Sequence, residues 1–274
     1  MRVTISKIKE MKQKGEKICM LTAYDYATAK LIDEAGIPLI LVGDSLGMVM
    51  LGYESTIPVT MDVMIHHTAA VVRGSKNALI VGDMPFMTYH LSIEQALKNA
   101  GRFIQEAGCQ TVKLEGGQEM APTIKRIVEC GIPVMGHIGL TPQSINQLGG
   151  YKAVGKTPET AVKLMQDAVA LEQAGAYAIV LETVPAPLSK KISERISIPT
   201  IGIGAGVDCD GQVQVISDLL GMYTEFVPKH AKQYAKLGET IKQATANYIS
   251  EVASGQFPTD KQSIAMDESI LEGL

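Results

Sequence analysis

The chain has 274 residues, a formal net charge of −4, 20% charged side chains and 46% hydrophobic ones. That length suits one large domain with a sizeable core, since α/β barrels of roughly 250 residues are commonly a single unit. The mild acidity, with no dense Lys/Arg cluster, argues against a nucleic-acid or membrane-surface partner, and no apolar stretch is long enough to cross a bilayer.

The start, Met1-Arg2-Val3-Thr4-Ile5-Ser6-Lys7, lacks the uninterrupted apolar region of a secretory signal. Just beyond it, Ile5, Ile8 and Met11 fall at helical spacing, which predicts a short helix ahead of the first strand. Strands are then predicted near 18–24, 39–43, 78–82, 110–115, 133–138, 177–182, 199–204 and 213–217. Helices are predicted at 26–35, 60–73, 92–107, 119–130, 158–174, 187–196 and much of 228–253. A punctuation mark recurs between them: Glu34-Ala35-Gly36, Glu106-Ala107-Gly108, Glu129-Cys130-Gly131 and Gln173-Ala174-Gly175 each place Gly where a helix should stop, with an apolar run close behind. Start signals are a capping box at Ser92-Ile93-Glu94-Gln95 and a cap before a first-turn proline at Thr157-Pro158.

Strand followed by helix, eight times over, implies parallel strands, and the expected fold class is α/β, a closed (β/α)8 TIM barrel whose N-terminal helix closes the bottom. An open doubly wound sheet would favour a nucleotide fingerprint after an early strand, and none is present. Gly202-Ile203-Gly204-Ala205-Gly206 comes too late for one and reads either as close packing at the top of the barrel or as an anion-binding turn. The whole chain, 1–274, is expected to be one barrel domain, with 255–274 a C-terminal tail of no clear period, loosely ordered or docked on a neighbouring subunit. Cys19, Cys109, Cys130 and Cys209 have no C-x-x-C spacing, so reduced, mostly buried thiols in a cytoplasmic protein are expected.

Four apolar runs stop on a carboxylate: 39–43 on Asp44, 79–82 on Asp83, 111–114 on Glu115 and 178–181 on Glu182. Acids at strand ends are often solvated loop residues or caps, but four together on one face of a barrel form a set. Asp44, Asp83 and Glu115 make an all-oxygen donor group suited to Mg²⁺, the two aspartates directly and the glutamate through water. Lys113 lies two residues before Glu115 and shares its inward face, either as a structural ion pair or as a cation for a substrate oxygen. Glu182, across the barrel from that group, is placed to act as a general base. His137 ends strand five between those walls, as a hydrogen-bonded core residue or a substrate contact, whereas His66-His67 lies in a helix and reads as surface or packing.

With these residues assembled, the chain resembles the ketopantoate hydroxymethyltransferases, also called 3-methyl-2-oxobutanoate hydroxymethyltransferases. The resemblance runs from Leu21-Thr22-Ala23-Tyr24-Asp25 through Val42-Gly43-Asp44-Ser45-Leu46-Gly47, Gly52-Tyr53-Glu54-Ser55-Thr56, Gly82-Asp83-Met84-Pro85-Phe86, Val112-Lys113-Leu114-Glu115-Gly116-Gly117 and Gly136-His137-Ile138-Gly139-Leu140-Thr141-Pro142 to Leu181-Glu182. It implies a Mg²⁺-dependent barrel that moves a hydroxymethyl group from 5,10-methylenetetrahydrofolate to 3-methyl-2-oxobutanoate, giving 2-dehydropantoate for pantothenate and coenzyme A. Carried over by position, it assigns metal binding to Asp44, Asp83 and Glu115, keto-acid contacts to Asp44, Ser45, Asp83 and Lys113, and the base to Glu182, with His137 a second-rank substrate contact. It also implies a cytoplasmic homo-decamer. Two rivals are a lyase or mutase acting on another metal-bound keto acid, and a barrel that binds metal or ligand without turnover.

Overall fold

Eight short strands close on themselves in the order of the sequence. They are β1 Ile18–Thr22, β2 Leu39–Val42, β3 Leu79–Asp83, β4 Thr111–Glu115, β5 Val134–Gly139, β6 Ala178–Glu182, β7 Thr200–Ile203 and β8 Gly211–Gln214, each parallel to its neighbours, with β8 returning to β1. The computed structural model describes residues 2–150, 152–223 and 227–273. Its helices are α1 Ile5–Gln13, α2 Tyr26–Glu34, α3 Leu46–Val49, α4 Met61–Gly74, α5 Ile93–Arg102, α6 Ala121–Glu129, α7 Ile145–Leu148, α8 Pro158–Gln173, α9 Ala186–Arg195, α10 Ile216–Leu219 and α11 Leu237–Ala253. Two compact units result: Met1–Ile216 with Pro228–Ala231, which holds the barrel, and Ser217–Val227 with Lys232–Leu274, which holds α11. None of the described helices is long and apolar enough to cross a membrane.

Alternation decides what fills the barrel. Along each strand every second side chain points inward, and Met20, Leu39, Leu41, Val81, Met135, Val180, Ile201 and Val213 form one buried cluster. Ile8 of α1 is fully buried in that cluster, with Val3, Ile5 and Met11 packed against it, so the predicted N-terminal plug is present. Lys12 fastens it, donating from Nζ to Asp210 Oδ2 at 2.9 Å and to the Ser193 and Ile198 carbonyls at 2.9 and 3.0 Å.

The two Val-Gly-Asp strings use their glycines differently. Gly82 leaves room on the outer face of β3 for the Phe103 ring, which a Cβ there would strike, whereas Gly43 leaves room for the Ser45 hydroxyl, 2.9 Å from where a Cβ would sit. Phe103 begins a π-helical turn, Phe103–Ala107, so the predicted 92–107 helix is α-helical only as far as Arg102.

Three other expectations are corrected. The eighth strand lies at Gly211–Gln214 rather than 213–217, because β1 pairs with it from Ile18↔Gly211 to Leu21↔Gln214, and the Ile216 amide leaves the ladder to donate to Thr22 Oγ1 at 2.9 Å. Ser92 accepts from the Gln95 amide at 3.1 Å, but the Gln95 side-chain oxygen makes no return bond, so only half of that capping box forms, whereas Thr157 with Thr160 makes a complete one. All four thiols are free, but only Cys109 and Cys209 are buried; Cys19 points outward from β1 and, like Cys130, is exposed.

Asp33, in the last turn of α2, is buried and clamps the entry to β3. Its carboxylate accepts from the backbone N–H groups of Lys76, Asn77 and Ala78 at 2.9, 3.0 and 2.7 Å and from Asn77 Nδ2 at 3.0 Å. Burial pushes this carboxyl upward, but the donors outweigh it and the net shift is downward. A folded value below the unfolded one means that the clamp stabilises the fold above about pH 4 and fades as pH falls through the folded value. Asp33→Ala leaves three amides without an acceptor and is expected to cost about 3 kcal/mol. Thermal melts should show a lower midpoint at neutral pH and a smaller loss between neutral and acid pH than wild type; parallel pH profiles would remove Asp33 from the acid response.

Candidate functional site

The C-terminal ends of β2 to β6 bring the predicted polar residues to one mouth. Register does most of the placing, since Asp83 lies across from Lys113 on the neighbouring strand and Glu115 lies across from His137. Asp44 follows β2 by two residues, and its backbone N–H donates to Asp83 Oδ2 at 3.1 Å. Lys113 Nζ pairs with Asp83 Oδ1 at 2.7 Å and sits 3.3 Å from His137 Nδ1. His137 Nδ1 lies 3.4 Å from Glu115 Oε1, and its Nε2 lies 3.3 Å from Glu182 Oε2 without the alignment of a hydrogen bond. A continuous polar chain thus runs from Asp44 to Glu182.

Glu182 differs from the rest in access to solvent. Its side chain is 17% exposed, while those of Asp83, Lys113, Glu115 and His137 are at 4% or below, so it can exchange protons with water while they are shielded. The backbone around it is tightly constrained. Thr183 adopts φ 52°, a left-handed conformation rare for a β-branched residue, and Gly139 on β5 has φ 99° with the Glu182 carbonyl where its Cβ would be. Leu140 N–H donates to that carbonyl at 2.8 Å, fixing the turn that presents the carboxylate.

Negative charge exceeds positive charge here. The Asp44 carboxyl is pushed well above the usual range by burial first and then by the Asp83 and Glu115 charges. Asp83 is also raised, by burial against the opposing pull of Lys113. Burial and the Lys113 charge depress the imidazole of His137, but Glu115 and Glu182 outweigh them and lift it to about 9. Among the described residues no group of three or more His, Cys, Asp or Glu side chains is placed to hold a metal ion. Mg²⁺ does not require one, since it usually takes one or two carboxylates and keeps waters. Two buried aspartates and a glutamate, oxygen-only and with excess negative charge, are the type of donor set a hard divalent cation takes.

The structure therefore gathers Asp44, Asp83, Lys113, Glu115, His137 and Glu182. Ser45 is beside Asp44 but turns its hydroxyl to Tyr24 OH at 2.9 Å. His66 is exposed, and His67 Nδ1 meets the Tyr24 carbonyl at 2.6 Å, a packing contact as expected for that pair. Two residues that sequence reasoning missed lie in the same network. Tyr89 and Gln143 are buried in the loops after β3 and β5, and neither pattern nor composition marks them: each reads as an ordinary polar loop residue.

A sequence model described as ketopantoate hydroxymethyltransferase matches residues 2–260. The chain belongs to that family. A relative from Dehalococcoides mccartyi named 3-methyl-2-oxobutanoate hydroxymethyltransferase is 67% identical over 274 residues, covering 100% of this chain and 98% of its own. Relatives of the same name from Clostridium botulinum and Syntrophomonas wolfei are 60% and 58% identical, the first covering 100% of both chains and the second 100% of this chain and 99% of its own. This ketopantoate hydroxymethyltransferase family member is thus an enzyme, a hydroxymethyltransferase. Among solved structures, phosphonopyruvate hydrolase superposes with a TM-score of 0.62 at 11% identity, covering 98% of this chain and 94% of its own. 2,3-Dimethylmalate lyase does so with a TM-score of 0.61 at 13% identity, covering 99% and 94%. At such identities the likeness is one of fold, and it supports the TIM barrel.

Proposed function

We propose that the enzyme transfers a one-carbon unit from 5,10-methylenetetrahydrofolate to 3-methyl-2-oxobutanoate, giving 2-dehydropantoate for pantothenate and coenzyme A synthesis. The observation that carries this reading is the pairing, at one mouth, of a buried acid cluster around Lys113 with a separate, partly exposed carboxylate, Glu182. Relatives named for this keto acid match the full chain.

Each residue has a task in that reaction. Lys113 and Ser45 hold the keto acid's oxygens, and Lys113 is itself kept charged, since Asp83, Glu115 and Asp44 outweigh the burial that disfavours its cation. Glu182 removes the proton from C3, beside the carbonyl, and the electron pair left behind forms an enolate. C3 then bonds to the carrier's one-carbon unit, both carbon–nitrogen bonds to the carrier break with their electron pairs left on nitrogen, water supplies the hydroxyl oxygen, and the two nitrogens take up the proton removed from C3 and one from that water. His137, whose Nε2 lies 3.3 Å from Glu182 Oε2, flanks the same pocket as a second-rank contact for the keto acid. Mg²⁺ held by Asp44, Asp83 and, through water, Glu115 would supply Lewis-acid stabilisation of negative charge developing at the keto oxygen.

Proton exchange in deuterated water tests the reading. C3 exchange of 3-methyl-2-oxobutanoate is expected to require Mg²⁺ but not the carrier, whereas product requires both. Carbon–carbon cleavage without the carrier would favour a lyase, and Mg²⁺ binding with no exchange would favour a binding protein.

We also propose that the protein works in the cytoplasm as a homo-oligomer, a decamer by resemblance. Ile241, Tyr248, Ile249 and Val252 of α11 are exposed and recur at helical spacing, an apolar stripe suited to another subunit. Sedimentation of a single-chain mass, 29.4 kDa, would exclude assembly.

A further inference from the structure

One buried residue bonds to three of the segments that build the mouth. Gln143, in the Pro142–Ser144 turn after β5, is 2% exposed. Its Nε2 donates to Asp44 Oδ2 at 2.9 Å and to the Met84 carbonyl at 3.0 Å, and its backbone N–H donates to Glu115 Oε2 at 3.1 Å. Its Oε1 accepts from Tyr89 OH at 2.7 Å, and the Tyr89 oxygen in turn accepts from the Glu115 backbone N–H at 3.1 Å. The amide's orientation follows from its partners. A carbonyl only accepts, so the Met84 side must face the NH₂ group, and Oε1 is left for the tyrosine.

We propose that Gln143, locked by Tyr89, is a positioning residue that fixes the separation and orientation of the Asp44 and Glu115 carboxylates and so sets the site's affinity for a divalent cation. The inference rests on the metal reading above and adds residues that reading does not use. Two like-charged carboxylates in a dry pocket repel each other, and unrestrained they would swing apart. A neutral donor to one, with a backbone donor from the same residue to the other, holds both at a fixed span without consuming the negative charge that attracts the ion. Each carboxylate oxygen also has a second lone pair, so accepting from Gln143 leaves capacity to bind a metal. Tyr89 completes the lock, since its hydroxyl is satisfied as donor by Gln143 and as acceptor by Glu115, and its ring stacks on His90 with centroids 4.0 Å apart. Partners of this kind typically change metal affinity by about 10–100-fold when lost.

The test is calorimetric titration of the ligand-free enzyme with Mg²⁺, and separately with Mn²⁺, for wild type, Gln143→Ala and Tyr89→Phe, alongside thermal melts. Gln143→Ala is expected to weaken Mg²⁺ binding about 10–100-fold, with C3 exchange recovering at saturating Mg²⁺. Tyr89→Phe, which keeps the ring and its stacking, is expected to shift the affinity in the same direction by a smaller factor. Wild-type Mg²⁺ affinity in a folded Gln143→Ala, with only the melting point lowered, would overturn the inference and confine Gln143 to a structural role. Should Gln143→Ala fail to fold, Tyr89→Phe decides by the same criterion. Wild type that binds neither ion overturns the metal reading itself, a result distinct from wild type that binds and variants that bind equally well.

Discussion

Asp83→Ala is expected to abolish Mg²⁺ dependence and keto-acid binding together, with turnover down about 10³-fold, because a Lewis acid contributes several kcal/mol of transition-state charge stabilisation and each 1.36 kcal/mol is tenfold. A fold penalty accompanies the loss of function. Lys113 loses its 2.7 Å partner while remaining buried, and the Asp44 N–H loses its acceptor. Breaking a buried pair from one side costs roughly 3–5 kcal/mol, and here Glu115 and Asp44 offset part of it by their charge. Asp83→Asn separates the two effects. It keeps the volume and an oxygen for the Asp44 N–H, so its melting point should lie closer to wild type while its Mg²⁺ titration resembles that of Asp83→Ala. Activity in either variant with unaltered Mg²⁺ dependence would take Asp83 out of the site.

Glu182→Gln carries the second large effect, a fall of about 10²–10⁴ in C3 proton exchange with Mg²⁺ and keto-acid binding retained. The substitution preserves shape and removes only the basic oxygen. Since Glu182 is partly exposed and lies at a strand end, little stability is at stake. The diagnostic is the split between calorimetry and exchange: normal binding with lost exchange assigns the base, whereas normal exchange means that another group takes the proton.

Much of this site was legible because a parallel barrel converts sequence position into spatial position. An apolar run that ends in Asp or Glu has only one way to lie in such a wall, so Asp83, Lys113, Glu115 and Glu182 could be placed on one face before any coordinates. The glycine-marked helix ends did the same for element order. What escaped notice depends on the conformation of loops. Gln143 and Tyr89 reach the acids only because the segments after β5 and β3 fold over the end of β4, and nothing in Thr141-Pro142-Gln143-Ser144 announces burial. The eighth strand was displaced for a related reason. Val213-Gln214-Val215-Ile216 is apolar enough for a strand, yet the ladder with β1 starts at Gly211, where the chain passes so close to Ile18 that a side chain would not fit. Cys19 shows the limit of hydrophobic context as a guide, because alternation turned it to the outside of an apolar strand.

Ile8 and its neighbours stopper the far end of the tube, and Lys12 pins the stopper in place. The interior between stopper and mouth is itself filled by side chains, so nothing can approach the acids from below. On the proposed reaction both reactants therefore share one doorway, and the keto acid and its carrier have to meet from the same side.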